Sequence, residues 1–149
     1  MILTQQLDIG VSIDQAFSWI YDTDKQKKWI SGLIDTVWLT PFDPENPVGS
    51  QFKRQFRQDH QLLELEGEVI EFYSPNIYGV RINDSRLPYE EIFRLEPLTP
   101  QSCRLHYKRM ITSRSLLSRA VASMMLMSAR VKIKKQLKNL VYLIETGGK

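Results

Sequence analysis

Residues 116–145 read LLSRAVASMMLMSARVKIKKQLKNLVYLIE, and this stretch decides how the rest of the chain must be arranged. It holds no Gly or Pro and is rich in Leu, Met, Ala, Lys and Arg, all good helix formers, so it reads as one continuous helix. At 1.5 Å per residue such a helix is on the order of 45 Å long, enough to cross a whole sheet. Projected at about 100° per residue, Ala122, Leu126, Ala129, Ile133, Leu137, Leu140 and Ile144 fall on one apolar stripe. That stripe should face a sheet. A second stripe, Leu117, Val121, Met124, Ser128 and Val131, is apolar only in the first half, after which Lys135 and Lys138 take over.

The first half of the helix is therefore apolar nearly all round and needs a cover: the protein's own loops, a second subunit, or a ligand or membrane. Met124, Met125 and Met127 suit a surface that accepts variable apolar partners, because unbranched thioether side chains repack easily, although they suit an ordinary core contact equally well. Lys132, Lys134, Lys135 and Lys138 lie mostly off the sheet-facing stripe, as a solvated face would. Peripheral contact with anionic lipid headgroups, or with an acidic partner, is the other reading.

Working upstream, residues 2–11 place Leu3, Leu7 and Ile9 among polar neighbours in a loose alternation that suits a half-buried strand. The period then changes. Ser12 followed by Gln15 makes a capping-box pattern, and Ala16, Phe17, Ile20 and Tyr21 recur at helical spacing, so a short helix is expected over 13–21. A second short helix is expected over 24–30, ending near Gly32. Strands follow at 33–40, 50–58, 61–73, 77–83, 89–95 and 103–111, separated by turn-forming residues at 44–49, 74–76, 84–88 and 97–102. These connections are too short for helical crossovers, so the seven strands should form an antiparallel meander.

Length and composition set the outer bounds. At 149 residues the chain is expected to be one domain with one sizeable core, and 42% hydrophobic with 25% charged residues argues against disorder. Cys103 is the single cysteine and cannot form an internal disulfide, and the segment after Met1 carries no basic leader, so a reducing, cytoplasmic setting is expected. The longest stretch without a charge, 120–129, is far short of the roughly 20 apolar residues of a membrane-spanning helix. A net charge of +3 slightly favours anionic partners and is too small to argue for nucleic acid.

Local sequence carries a family resemblance. Ala16-Phe17-Ser18-Trp19-Ile20, then Asp22, then Lys28-Trp29-Ile30-Ser31-Gly32, is similar to the opening of START-like and polyketide-cyclase-like proteins. Gly67-Glu68-Val69-Ile70-Glu71-Phe72 ahead of Ser74-Pro75 resembles the strand that precedes a Pro-containing turn there. Tyr89 to Pro97 followed by Cys103-Arg104-Leu105-His106-Tyr107 resembles the last two strands. The chain thus resembles, over essentially its whole length, the START-like superfamily of polyketide cyclases and lipid-transport proteins (SRPBCC). The resemblance implies an α+β helix-grip fold: a curved seven-stranded antiparallel sheet, two short helices after strand 1 and a long C-terminal helix. It also implies binding or carriage of lipids, sterols, polyketides, hormones or quinones between sheet and helix, with cyclisation or dehydration there in a minority of members. Fold leaves that chemistry open.

Direct signs of catalysis are few. Glu64, Glu66 and Glu68 alternate on one strand face, which suits acid and base partners and equally a wet sheet surface. His60 and His106 stand outside any HExxH pattern and there is no cysteine pair, so no metal is expected. Ser31 and Ser85 lack a GxSxG setting, and the dispersed glycines make neither a dinucleotide fingerprint nor a phosphate loop, so no cofactor is expected. Phe52, Arg54 and Phe56 share a strand face that reads as core and rim packing; without an RNP motif, no nucleic acid is expected. Arg81 and Arg109 fall in apolar strands, where an inward guanidinium would need a carboxylate or a ligand headgroup.

The reading that follows is a non-catalytic binder or carrier of a hydrophobic or amphipathic small molecule. Trp29, Phe52, Tyr78 and Tyr107 are its candidate wall residues, with Arg54, Arg81 or Arg109 fixing a polar end and Met124, Met125 and Ser128 contributed by the helix. No catalytic residue is assigned. Two alternatives stay open: a cyclase or dehydratase using pocket Tyr, Arg and Glu side chains, and an interaction module that forms a homodimer through the apolar first half of the helix.

Overall fold

Seven strands are joined edge to edge in the order β1-β7-β6-β5-β4-β3-β2, every neighbouring pair antiparallel, in a computed structural model that describes residues 1–85, 87–112 and 118–148, with the side chains of 118–122 outside that description. The strands are β1 (Ile2–Ile9), β2 (Leu33–Trp38), β3 (Gln51–Gln58), β4 (Gln61–Tyr73), β5 (Ile77–Asn83), β6 (Tyr89–Thr99) and β7 (Ser102–Ile111). From β2 to β7 the chain is a simple meander, as expected from the short connections. β1 instead pairs with β7, so the segment between β1 and β2 carries the chain from one edge of the sheet to the other.

That segment is the pair of helices α1 (Ile13–Tyr21) and α2 (Thr23–Trp29). The Ser12 hydroxyl accepts the Gln15 N–H at 3.4 Å, which starts α1. Asp22 ends α1 and starts α2 at once: its backbone N–H donates to Ser18 O, and its carboxylate accepts the Asp24 and Lys25 N–H groups at 2.9 and 3.1 Å. One residue thereby makes the corner, and both helices turn apolar faces inward, Ala16, Phe17, Trp19 and Ile20 from α1 and Trp29 from α2. Gly32 follows at φ 76°, where a Cβ would stand 2.7 Å from the Arg57 carbonyl oxygen, so only glycine fits the entry to β2.

The turn expected over 97–102 is tighter than the sequence suggests. β6 runs on through Pro97 to Thr99, and the register with β7 shifts between those two residues. Proline has no N–H to give to the ladder and is accommodated at such an irregularity. β2 is correspondingly shorter, ending at Trp38 rather than 40. The β3–β4 hairpin closes through Asp59 and His60, both at positive φ, the backbone of a two-residue turn matched to strand twist.

The long helix α3 (Ser118–Thr146) lies against β1, α1 and α2. Its sheet-facing stripe is as expected: Ile133, Leu137, Leu140 and Ile144 are buried, and Leu126 and Ala129 are partly so. Two polar ties hold it, the Ser31 N–H to Gln136 Oε1 at 3.0 Å and the Gly10 N–H to Glu145 Oε2 at 3.1 Å. Of the second stripe, Met124 and Val131 are 75% and 70% exposed, and Met127 beside it is 73% exposed. Leu116, Leu117, and the side chains of Val121 and Ala122, lie outside the described residues. The architecture is the α+β helix-grip arrangement, and among the described residues no helix is long and apolar enough to cross a membrane.

Stability should follow this division of α3. Leu140→Ala, at a fully buried position, is expected to cost about 2–5 kcal/mol in urea unfolding. Met124→Ala should stay within about 0.5 kcal/mol of the parent protein.

A candidate ligand cavity between the sheet and the long helix

Alternation along each strand decides what faces the hollow. From β3 the inward set is Phe52, Arg54 and Phe56; from β5, Tyr78, Val80 and Ile82; from β6, Tyr89, Glu91, Phe93 and Leu95; from β7, Leu105, Tyr107 and Arg109. The aliphatic members Val80, Ile82, Leu95 and Leu105 are buried in the same core as Leu137 and Leu140. Toward the β3–β4 hairpin the sheet encloses a cavity of about 600 Å³ that opens to solvent. Its roof is the small side chain of Ala129, with Met125, Ile133 and Gln136 around it on α3. Its side wall is Gln26 and Trp29 of α2, fixed by hydrogen bonds from Gln26 Nε2 to the Ile20 carbonyl and from Trp29 Nε1 to the Trp19 carbonyl, both 2.8 Å. Leu65 and Phe93 complete the apolar lining.

The floor carries charge. Glu91 and Arg109 are directly opposed on β6 and β7, so their side chains leave the same face at the same level. Arg109 donates through a terminal guanidinium nitrogen to Glu91 Oε1 at 2.9 Å and through Nε to the Tyr107 hydroxyl at 2.8 Å, and it lies 4.1 Å from the Tyr89 ring centroid. Burial pulls the Arg109 guanidinium down, but the Glu91 carboxylate and the two phenols outweigh it and hold it above its ordinary range. The same burial, aided by the negative charge of Glu91, pushes Tyr89 up to about 12 and Tyr107 well above its usual value. Burial also raises Tyr78, against the opposing pull of Arg54. All three phenols therefore stay protonated through neutral pH and act as hydrogen-bonding groups.

Arg54 is the second buried cation. It is 5% exposed, its guanidinium carbon sits 5.2 Å from the Phe52 ring centroid, and it interacts with the Tyr78 hydroxyl. Its Nε has no hydrogen-bond partner, and among the described residues no carboxylate pairs with it. Thr36, its register partner on β2, holds the other buried side-chain polar atom without a partner among the described residues, Oγ1.

Of the residues singled out from sequence, Trp29, Arg54, Tyr78, Arg109 and Met125 come together on the cavity wall. The other five do not. Phe52 is inward but lies behind the wall, its ring over Gly67 where a Cβ would stand 2.5 Å from it, and it supports Arg54 from beneath. Tyr107 is likewise buried behind the wall and reaches the site only through Arg109. Arg81 is on the opposite, convex face, because Val80 and Ile82 on either side of it point inward; it sits between Glu68 and Glu90 at 3.5 and 3.4 Å. Met124 and Ser128 are on the solvent side of α3, about a third of a turn away from Met125 and Ala129.

The glutamates of β4 form a wet outer face, with Glu64 paired to Lys53 at 3.3 Å. Among the described residues, no three His, Cys, Asp or Glu side chains are grouped to hold a metal ion. Sequence reading missed Glu91, Tyr89, Gln26 and Phe93. The available signal was the i, i+2 spacing of Tyr89, Glu91 and Phe93, which puts a carboxylate between two aromatic rings on one strand face.

No family model matches this chain, and no curated protein matches it by sequence. Solved structures do match, along nearly the whole length. A START superfamily protein from Mycobacterium smegmatis superposes with a TM-score of 0.74 at 13% identity, covering 96% of this chain and 98% of its own. A conserved protein from Geobacillus kaustophilus gives 0.73 at 12% identity, covering 97% and 95%. A norcoclaurine synthase point mutant from Thalictrum flavum, in complex with a transition-state analogue, gives 0.70 at 9% identity, covering 100% and 96%. At these identities the fold is what is shared: the chain has the START-like, helix-grip fold.

Two outcomes follow from the buried charges. Glu91→Leu alone strands a buried guanidinium and should destabilise the protein by about 3–5 kcal/mol, whereas Glu91→Leu with Arg109→Leu should recover most of that loss in the same urea titration. In alkali, the unfolded chain releases phenolic protons near pH 10 that the folded protein keeps until about 12 at Tyr89. Stability present below pH 10 is thus lost as pH rises through that window, readable by parallel melting curves and tyrosinate absorbance.

Proposed function

We propose that this chain is a single START-like ligand-binding domain that binds or carries a hydrophobic or amphipathic small molecule in the cavity under α3, without transforming it. The observation that carries the reading is the cavity itself: about 600 Å³, opening to solvent, with Trp29, Leu65, Phe93, Ile133 and Met125 forming an apolar part of a lining that also carries seven charged side chains among the described residues. Sites for small molecules are typically roughly 300–1,000 Å³, mostly apolar and equipped with a small number of placed polar groups. That a structure of the same fold holds a transition-state analogue supports use of the fold to enclose a ligand.

We prefer binding to cyclisation or dehydration. Acid–base chemistry needs a titratable pair within reach of one substrate atom. On the floor, Glu91 is engaged by Arg109 and the neighbouring phenols keep their protons well past neutral pH, while the other lining carboxylates, Asp59 and Asp84, belong to the β3–β4 turn and the segment after β5.

The test is a fluorescence titration with Nile red, an uncharged apolar probe. Ala129→Trp, which fills the roof, should weaken binding at least about tenfold, and Ser128→Trp, one residue earlier on the solvent side, should leave it unchanged. Equal binding by both variants would place the probe elsewhere and remove the reading. Native mass spectrometry of protein taken directly from its own cells should then show a retained small molecule.

A further inference from the structure

The cations of the cavity lining differ in how they are partnered. On the floor, Arg109 is ion-paired with Glu91. Arg54 is left over, buried, with an unsatisfied Nε and no ion pair among the described residues. A buried cation without a counter-charge is costly, and arginine does not escape by giving up its proton. It interacts with the neutral Tyr78 hydroxyl, and its register partner on β2 is Thr36, whose buried hydroxyl is itself without a partner. The Glu91 carboxylate acts on Tyr78 through space but makes its ion pair with Arg109.

We propose that the ligand of this cavity is a monocarboxylic acid with an apolar body, and that Arg54 is the residue that receives its carboxylate. The proposal rests on the reading of the cavity as a ligand site. The planar guanidinium fork matches a carboxylate's two oxygens, and a carboxylate supplies the counter-charge that Arg54 lacks among the described residues. The hydrocarbon would lie against Trp29, Leu65, Phe93 and Met125, so the bound acid satisfies both halves of the site.

Displacement of Nile red from the wild-type chain by decanoate, decan-1-ol and decyl phosphate at neutral pH tests this, with Arg54→Gln alongside. Decanoate should displace the dye at least about tenfold more tightly than the alcohol of equal length, and Arg54→Gln should abolish that preference. Equal displacement by acid and alcohol in the wild type overturns the inference and leaves the cavity reading standing. Tighter displacement by decyl phosphate overturns the choice of carboxylate. If Nile red binds and none of the three displaces it, the inference falls; if the dye itself does not bind, the cavity reading falls with it. Arg54→Met gives an independent check on ligand-free protein: a residue kept for a ligand's charge should yield a higher melting temperature when replaced by an apolar side chain, by about 2 °C or more, whereas a structural arginine would yield a lower one.

Discussion

The seating of Ile133, Leu137, Leu140 and Ile144 on the sheet and the two short helices is the constraint from which the rest of the molecule follows. Each such side chain contributes roughly 1.5–3 kcal/mol by leaving water, and together they fix the C-terminal half of α3. Among the described side chains of the N-terminal half, Leu126 and Ala129 are only partly buried. Met124, Met127 and Val131 look outward, and beneath Ala129 the strands β3 to β6 present Arg54, Tyr78, Glu91 and Phe93 instead of close-packed aliphatics. The helix is thus anchored at one end and stands over a hollow at the other. The Ser31–Gln136 hydrogen bond ties it within that anchor and the Gly10–Glu145 hydrogen bond just beyond it.

The hollow is not simply a packing defect, because its floor is polar in an ordered way. A buried ion pair such as Glu91–Arg109 contributes little net stability compared with well-packed apolar residues of the same volume. Its presence, braced by Tyr107 and stacked on Tyr89, gives the cavity fixed hydrogen-bonding groups at one level. Arg54, held over Phe52 and left without a counter-charge, adds a second fixed group of one sign. An apolar chamber with a preset polar end is suited to amphipathic molecules, since body and head are then satisfied in different places.

The fold was largely legible in the sequence because two periodicities do most of the specification: three-and-four spacing in 116–145 and alternation between short turns upstream. Boundaries failed where local chemistry was ambiguous, as at Pro97, which signals a turn but sits at a register shift inside β6. Five of the ten residues singled out from sequence, Trp29, Arg54, Tyr78, Arg109 and Met125, lie on the cavity wall, whereas Arg81, three residues from Tyr78 on β5, takes the opposite face by simple alternation. Glu91 was missed for a different reason. Glu90 and Glu91 are adjacent, one facing water and one facing the cavity, and the distinction depends on the pairing of β6 with β7, a long-range property. Met124 and Ser128 were drawn toward the ligand by their apolar setting, yet lie about a third of a turn from the roof.

Intermolecular NOEs between bound decanoate and the side-chain methyls of protein labelled at Met and Ile test the central claim most directly. The account predicts contacts from the ligand's chain to the Met125 and Ile133 methyls, which line the cavity, and none to Met124 or Met127. Contacts confined to the exposed Met124 and Met127 methyls, with Met125 and Ile133 undisturbed, would contradict it.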